Sequence, residues 1–339
     1  MDIFPRSTDA RTMESRRDIL AASTKIAGVA LAAPLLNAVA PYTRLFDERG
    51  SLAEELDRIS RELDWIAVNE PLRPSSEIRV AIYATWANLV GLGQHTNRAV
   101  AALKARTAIN AGANAITTMD SKNGPKWFDT AGVYARIAGD NDLISLTHYH
   151  ESVAGIWWHA PDRTVRTSMY IAGQHGKSAQ RLGPVYALRA RLASQRYECR
   201  EAVQAVEQSV HLAGDPEAPT LSTWTKPQAH AFAARSLVPF AQLLAAVEAH
   251  THEALNTLPE NAHVIRCHAR LNLAEARAKS GLLDAAADET LKALATLPDN
   301  HGYATLIDRV ATLSRDVDRR WPKNSAFEPV RELLKAEPV

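Results

Sequence analysis

At 339 residues the chain exceeds one ordinary domain, and its apolar fraction of 46% contains few aromatics (6%) and much alanine. Alanine is the best helix former and lets helices approach closely, so an all-α fold is expected. The 39 Lys and Arg against 38 Asp and Glu leave a formal charge of +1, which excludes a broad footprint for a nucleic-acid duplex.

The first fifty residues carry S-R-R-D-I-L at 15–20, followed by an apolar stretch at 26–40. Two arginines before such a run look like a twin-arginine export signal, with Ala38-Val39-Ala40 as a cleavage site. Pro41 at the scissile position and the interruptions at Lys25 and Pro34 favour instead a helix docked on the protein. The stretch is too short for a stable membrane span.

From Ser51 the pattern turns regular. Leu52, Leu56, Ile59, Leu63 and Ile66 recur at spacings of four and three, a single apolar stripe, with Ser51 and Glu54 forming a capping box. The Pro71 to Pro74 run ends this helix, and further helices are expected over residues 75–95 and 99–110. Turn signals at Gly124-Pro125, Gly139-Asp140, Ala160-Pro161, Gly173 to Gly176 and Gly214-Asp215 then divide the chain at hairpin spacing. The Pro, Thr and Ser content of 215–227 predicts a linker or long loop.

The repeat is clearest in residues 271–298. Leu273 and Ala274 fall on a first helix closed by Gly281, Ala286 and Ala293 on a second ended by Pro298. Ala286 is expected to face Ala274 across the hairpin, and Ala278 to face outward. Ala190, Ala202 and Ser209 stand at comparable offsets, and Gly132 with Gly139 marks a weaker copy. A lone hairpin cannot bury its apolar face, so repeated copies predict an array. The expected organisation is an arm at 1–50, a helical stack at 51–214, the linker at 215–227 and C-terminal hairpins at 228–339.

The small-residue, Gly and Pro pattern resembles a tetratricopeptide repeat, although Arg270 and Arg277 stand where aromatics are usual. N-L-A-E-A-R-A-K-S-G at 272–281, H-G-Y at 301–303, R-E-L-L-K at 331–335 and Arg16-Arg17-Asp18 before the alanine-rich run are similar to actinobacterial transcription regulators of the Cro-like helix-turn-helix (Xre) class. The resemblance implies a tetratricopeptide-like α-solenoid serving as the sensing half of such a regulator. Fourteen residues before Ser15 are too few for a helix-turn-helix domain, so DNA binding is not carried over.

Candidate chemistry is sparse. Gly173-Gln174-His175-Gly176-Lys177-Ser178 ends like a phosphate-binding loop, but Ile171 stands where glycine is needed and the preceding residues read as helix. His148 and His150, and His250 and His252, are two residues apart, which on a helix turns each pair to opposite sides. Only two cysteines occur, Cys199 and Cys267, without a C-x-x-C pair. No metal, cofactor or catalytic residue is expected. The reading is a cytoplasmic, non-catalytic regulatory scaffold that binds a protein, peptide or small molecule in a helical groove. Large aromatics on such helices are usually core or hairpin-packing residues, and the other reading makes Trp127, Tyr134, His148 and Trp158 the candidate ligand-binding wall. An exported helical binding protein is the alternative, and a homodimer is compatible with either.

Overall fold

The computed structural model describes residues 51–70, 72–92, 97–214, 223–297 and 304–336. The export-like segment and Pro298 lie outside these residues. Fourteen α-helices account for most of the described chain: α1 (Leu52–Asn69), α2 (Ser75–Gly91), α3 (Arg98–Thr117), α4 (Gly124–Ala138), α5 (Asn141–Trp157), α6 (Asp162–His175), α7 (Ala179–Gln195), α8 (Cys199–His211), α9 (Lys226–Leu237), α10 (Leu244–Thr257), α11 (His263–Lys279), α12 (Leu283–Leu294), α13 (Ala304–Arg320) and α14 (Glu328–Ala336). Among the described residues the only β feature is one isolated bridge between Gly214 and Thr225. The fold is all-α.

The helix signals act as their chemistry dictates. At α1, Ser51 Oγ accepts from the Glu54 N–H at 3.3 Å, and Glu54 Oε2 accepts from the Ser51 N–H at 2.7 Å. Ile59, Leu63 and Ile66 from the α1 stripe are fully buried, whereas Leu52 is exposed. The helix expected over 75–95 stops at Gly91, and the one expected over 99–110 runs on to Thr117. Two turn assignments also change. Gly173 lies inside α6. The expected linker ends before Lys226, because Thr225 and Gln228 form a second capping box with Pro227 in the first turn. A proline is tolerated there, where its missing N–H would have no helical partner.

Consecutive helices pack in pairs: α3 with α4, α5 with α6, α7 with α8, α9 with α10, α11 with α12 and α13 with α14. The first helix of each pair also touches the first helix of the next, continuously from α3 to α13. Second helices lie against the following first helix from α4–α5 through α10–α11. Small residues set the close contacts. Ala190, Ala202, Ala274 and Ala286 are completely buried, and Ser209 donates to the Gly183 carbonyl at 2.8 Å. Ala274 and Ala286 share one apolar cluster, but Ala278 belongs to it too and is buried, not outward-facing. Its α11 stripe meets α12 and α13 together, so both sides of the alanine face are covered.

Each first helix except α9 and α13 ends in the same left-handed turn. Met119, His159, Tyr197 and Gly281, each two residues past its helix, have φ of 56°, 54°, 59° and 81°. The next residue's N–H closes the turn onto the carbonyl four residues before that φ-positive position: Asp120 to Ala115, Ala160 to Gly155, Glu198 to Ala193 and Leu282 to Arg277, at 2.8–2.9 Å. This satisfies carbonyls that a helix end leaves open.

Candidate functional site

A cavity of about 980 Å³ is lined by the first helices α5, α7, α9, α11 and α13. Trp157, Phe232 and Trp321 supply aromatic surface. Met119, His159 and Tyr197 reach the cavity from the left-handed turns. Volumes of this size suit ligand pockets, and a few convergent polar groups in an apolar wall are their usual composition.

The polar groups converge on Glu275 of α11. Its Oε1 accepts from Arg309 Nε at 2.6 Å, and its Oε2 accepts from Arg235 Nη1. Arg309 also donates from Nη2 to Asn272 Oδ1 at 2.6 Å and reaches His268 Nδ1 at 3.1 Å through Nη1. Asn272 is fixed in turn by donating Nδ2 to the Ala231 carbonyl at 2.9 Å. One carboxylate therefore ties α9, α11 and α13 together. Although burial opposes ionisation, the Arg235 and Arg309 guanidiniums hold Glu275 down to about 2. Burial, helped by Arg309 and Arg235, pushes His268 down to about 3, so its ring is neutral.

Arg191 of α7 and Lys279 of α11 stand beside this network without joining it. Arg191 makes one long hydrogen bond, from Nη1 to the Arg235 carbonyl at 3.4 Å. Neither has a carboxylate within ion-pair distance among the described residues. Burial and the neighbouring cations hold both below their ordinary values.

The four residues expected to form the wall lie elsewhere. None lines this cavity. Trp127 is buried in the core, edge-on to Trp86 at 5.3 Å and stacked on Tyr83 at 5.9 Å. Tyr134 packs against the same Trp86 at 6.1 Å, with Lys104 over its ring at 5.3 Å. His148 bonds through Nδ1 to Glu151 Oε2 at 2.8 Å, and Glu151 also accepts from Ser168 at 2.8 Å. Trp158 packs on Phe128, and its ring lies so close to Gly124 that a Cβ there would meet Cη2 at 2.0 Å. Trp127 and Tyr134 are thus brought together through Trp86, while His148 and Trp158 pack separately. Its neighbour Trp157 faces the cavity instead, its ring 6.1 Å from His268.

The remaining motifs find structural places. The stretch 173–178 spans the last turn of α6 and the turn into α7, and follows no strand. His250 faces His230, with Nδ1 atoms 2.8 Å apart. Among the described residues no group of three or more His, Cys, Asp or Glu is placed to hold a metal ion. Cys267 is buried, its thiol pushed up to about 12.

The cavity residues had a signal that went unread. His268, Asn272, Glu275 and Lys279 follow spacings of four, three and four on α11, a polar stripe beside the buried stripe of Cys267, Leu271, Ala274 and Ala278. Thr305, Arg309, Thr312 and Asp316 repeat that spacing on α13. Comparison with known proteins found no matching family, curated protein or solved structure.

Proposed function

We propose that the chain is a non-catalytic binding protein, a tetratricopeptide-like α-solenoid that holds a ligand among its first helices. The carrying observation is the 980 Å³ cavity, to which five successive first helices contribute. In an array of hairpins the first helices share one side, so a site built from them spans several repeats. The pairing of helices and the recurring left-handed turns support the solenoid reading.

Locked polar groups support a binding role over a catalytic one. Both Glu275 oxygens are occupied by guanidiniums, and His268 is neutral, with Nδ1 engaged by Arg309. Neither is poised to carry a proton near neutral pH. The motifs that resemble Xre-class regulators are the support for a sensing role, in which ligand binding changes how the helical surface meets a partner. We propose a peptide or small molecule as the occupant, since the cavity matches a ligand of that size.

Native mass spectrometry of the full chain against peptide and metabolite mixtures tests this. A one-to-one complex is expected. Thr312 is exposed on the cavity wall, so Thr312→Trp should fill space and abolish the complex while leaving the helical circular dichroism unchanged. A complex that forms equally well with Thr312→Trp would place the ligand elsewhere.

A further inference from the structure

A pocket of about 160 Å³ adjoins the cavity between α7, α9 and α11. It is lined by Arg191, Arg235, Glu275 and Lys279, with Ser194 and Gln195 beside them. Three cations against one carboxylate leave a formal excess of two. We infer that this pocket is an oxyanion subsite, receiving a carboxylate or phosphate group of a bound molecule between Arg191 and Lys279. The inference rests on the cavity being a ligand site and names the ligand's chemistry.

The argument is one of occupancy. Glu275 is hydrogen-bonded by Arg309 and Arg235, one at each oxygen, and makes no hydrogen bond or ion pair with Arg191 or Lys279, on which it acts only at longer range. Arg191 has five N–H donors and a single long hydrogen bond to the Arg235 carbonyl. Lys279 has three donors and makes no hydrogen bond or ion pair among the described residues. Asp316 of α13 is the other carboxylate acting on Lys279, but Arg319 donates to its Oδ1 at 2.9 Å. Unpaired like charges, partly desolvated and side by side, raise the free energy of the empty protein. An anion removes that cost and meets donors already held in place, a planar guanidinium fork and an ammonium. The pocket is large enough for a carboxylate or phosphate group and too small for a folded segment. It opens toward the larger cavity through the shared residues Arg191, Arg235, Glu275 and Lys279. A ligand can therefore place its anionic end here and its remaining surface against Phe232, Trp157 and Trp321.

The test uses the full chain, with citrate as the carboxylate probe, pyrophosphate as the phosphate probe and uncharged trimethyl citrate as control. Trp157 and Trp321 line the cavity, so intrinsic fluorescence reports occupancy, and thermal denaturation gives an independent readout. Saturable one-to-one binding of at least one probe is expected, with none for the control. The tighter of citrate and pyrophosphate identifies the group. Lys279→Gln should weaken binding about tenfold, the effect of losing one charge-assisted hydrogen bond, and Lys279→Arg should restore it. Arg191→Gln should weaken it at least as much. Without probe, Lys279→Gln should melt no lower than the parent, since it removes an unpaired cation. Absence of saturable binding, parental affinity retained in both Gln variants, or a lower ligand-free melting temperature for Lys279→Gln would each overturn the subsite. A ligand lost in Thr312→Trp but indifferent to Lys279→Gln would overturn the subsite alone. Failure of both sets of experiments would remove the cavity reading with it.

Discussion

Tyr197 is 72% exposed and holds φ at 59°, a conformation that costs an L-residue with a Cβ about 1–2 kcal/mol. Gly281 occupies the same place in the α11–α12 turn at φ 81°, with open space where a Cβ would stand. The strain at Tyr197 is therefore a matter of backbone and not of crowding. Its persistence where a glycine would fit, together with Met119 and His159 in matching turns, coincides with the side of the protein that carries the cavity. Tyr197→Gly should accordingly stabilise the fold by about 1 kcal/mol, and Gly281→Ala should destabilise it by a similar amount. Urea denaturation reads both. Matching signs for the two variants would show that the turns are not equivalent. These positions were half legible in the sequence: Gly281 signalled a turn, but nothing in Met119, His159 or Tyr197 announces a left-handed backbone. In these four turns the left-handed residue lets the next N–H close onto a helix-end carbonyl.

At the scale of the element, ion pairs tie the α11–α12 hairpin together and to its neighbour. Arg270 and Arg277 both reach Glu289 of α12, at 3.0 and 3.6 Å. Arg277 also pairs with Glu248 of α10 at 3.0 Å, so one network links neighbouring hairpins. The small residues behind it behave as the pattern predicts. Ala286 is wholly buried in the cluster that contains Ala274, so Ala286→Leu should overpack the contact and cost about 1–3 kcal/mol. Ala285, half-exposed on the same helix, is the proper control, because Ala278 is covered on both sides. Equal urea midpoints for Ala286→Leu and Ala285→Leu would contradict close helix contact at this point.

For the whole molecule, buried neutral histidines set the acid limb of stability. Burial holds His150 at about 4 and His268 at about 3, against an ordinary 6.5. Both values are depressed, so the unfolded chain takes up protons first as pH falls. Stability therefore declines from about pH 6.5 toward pH 3–4, at about 1.4 kcal/mol per pH unit for each group. Glu275 acts lower down: held at about 2, it adds stability above its unfolded value of 4.5 and loses it as pH falls toward 2. The urea midpoint should be level from pH 8 to 7 and fall between pH 6.5 and 4.5. Replacing His150 and His268 together with Gln should lessen that decline, with His250, held at about 4 by burial and by His230, supplying part of the remainder. A midpoint unchanged down to pH 4.5 would mean that these rings accept protons in the folded state.

What the sequence determined by itself is the local architecture. Capping pairs such as Ser51–Glu54, the α1 stripe and the alanine positions of the 271–298 hairpin depend on neighbours three to twelve residues away, and periodicity records them. The same local rules misjudged Pro227, where a proline opens a helix, and Ala278, whose burial depends on a third helix. The packing of the candidate wall lay beyond such rules, because Trp86 and Gly124, against which Trp127 and Trp158 lie, are 41 and 34 positions away in the chain. The cavity is assembled from five helices, and Arg235, Glu275 and Arg309 become one hydrogen-bonded unit, with Arg191 beside it, only when those helices are stacked. A polar stripe on α11 can be read from spacing, but which charges are paired and which are left over was decided by tertiary structure, because pairing depends on distances between helices far apart in sequence.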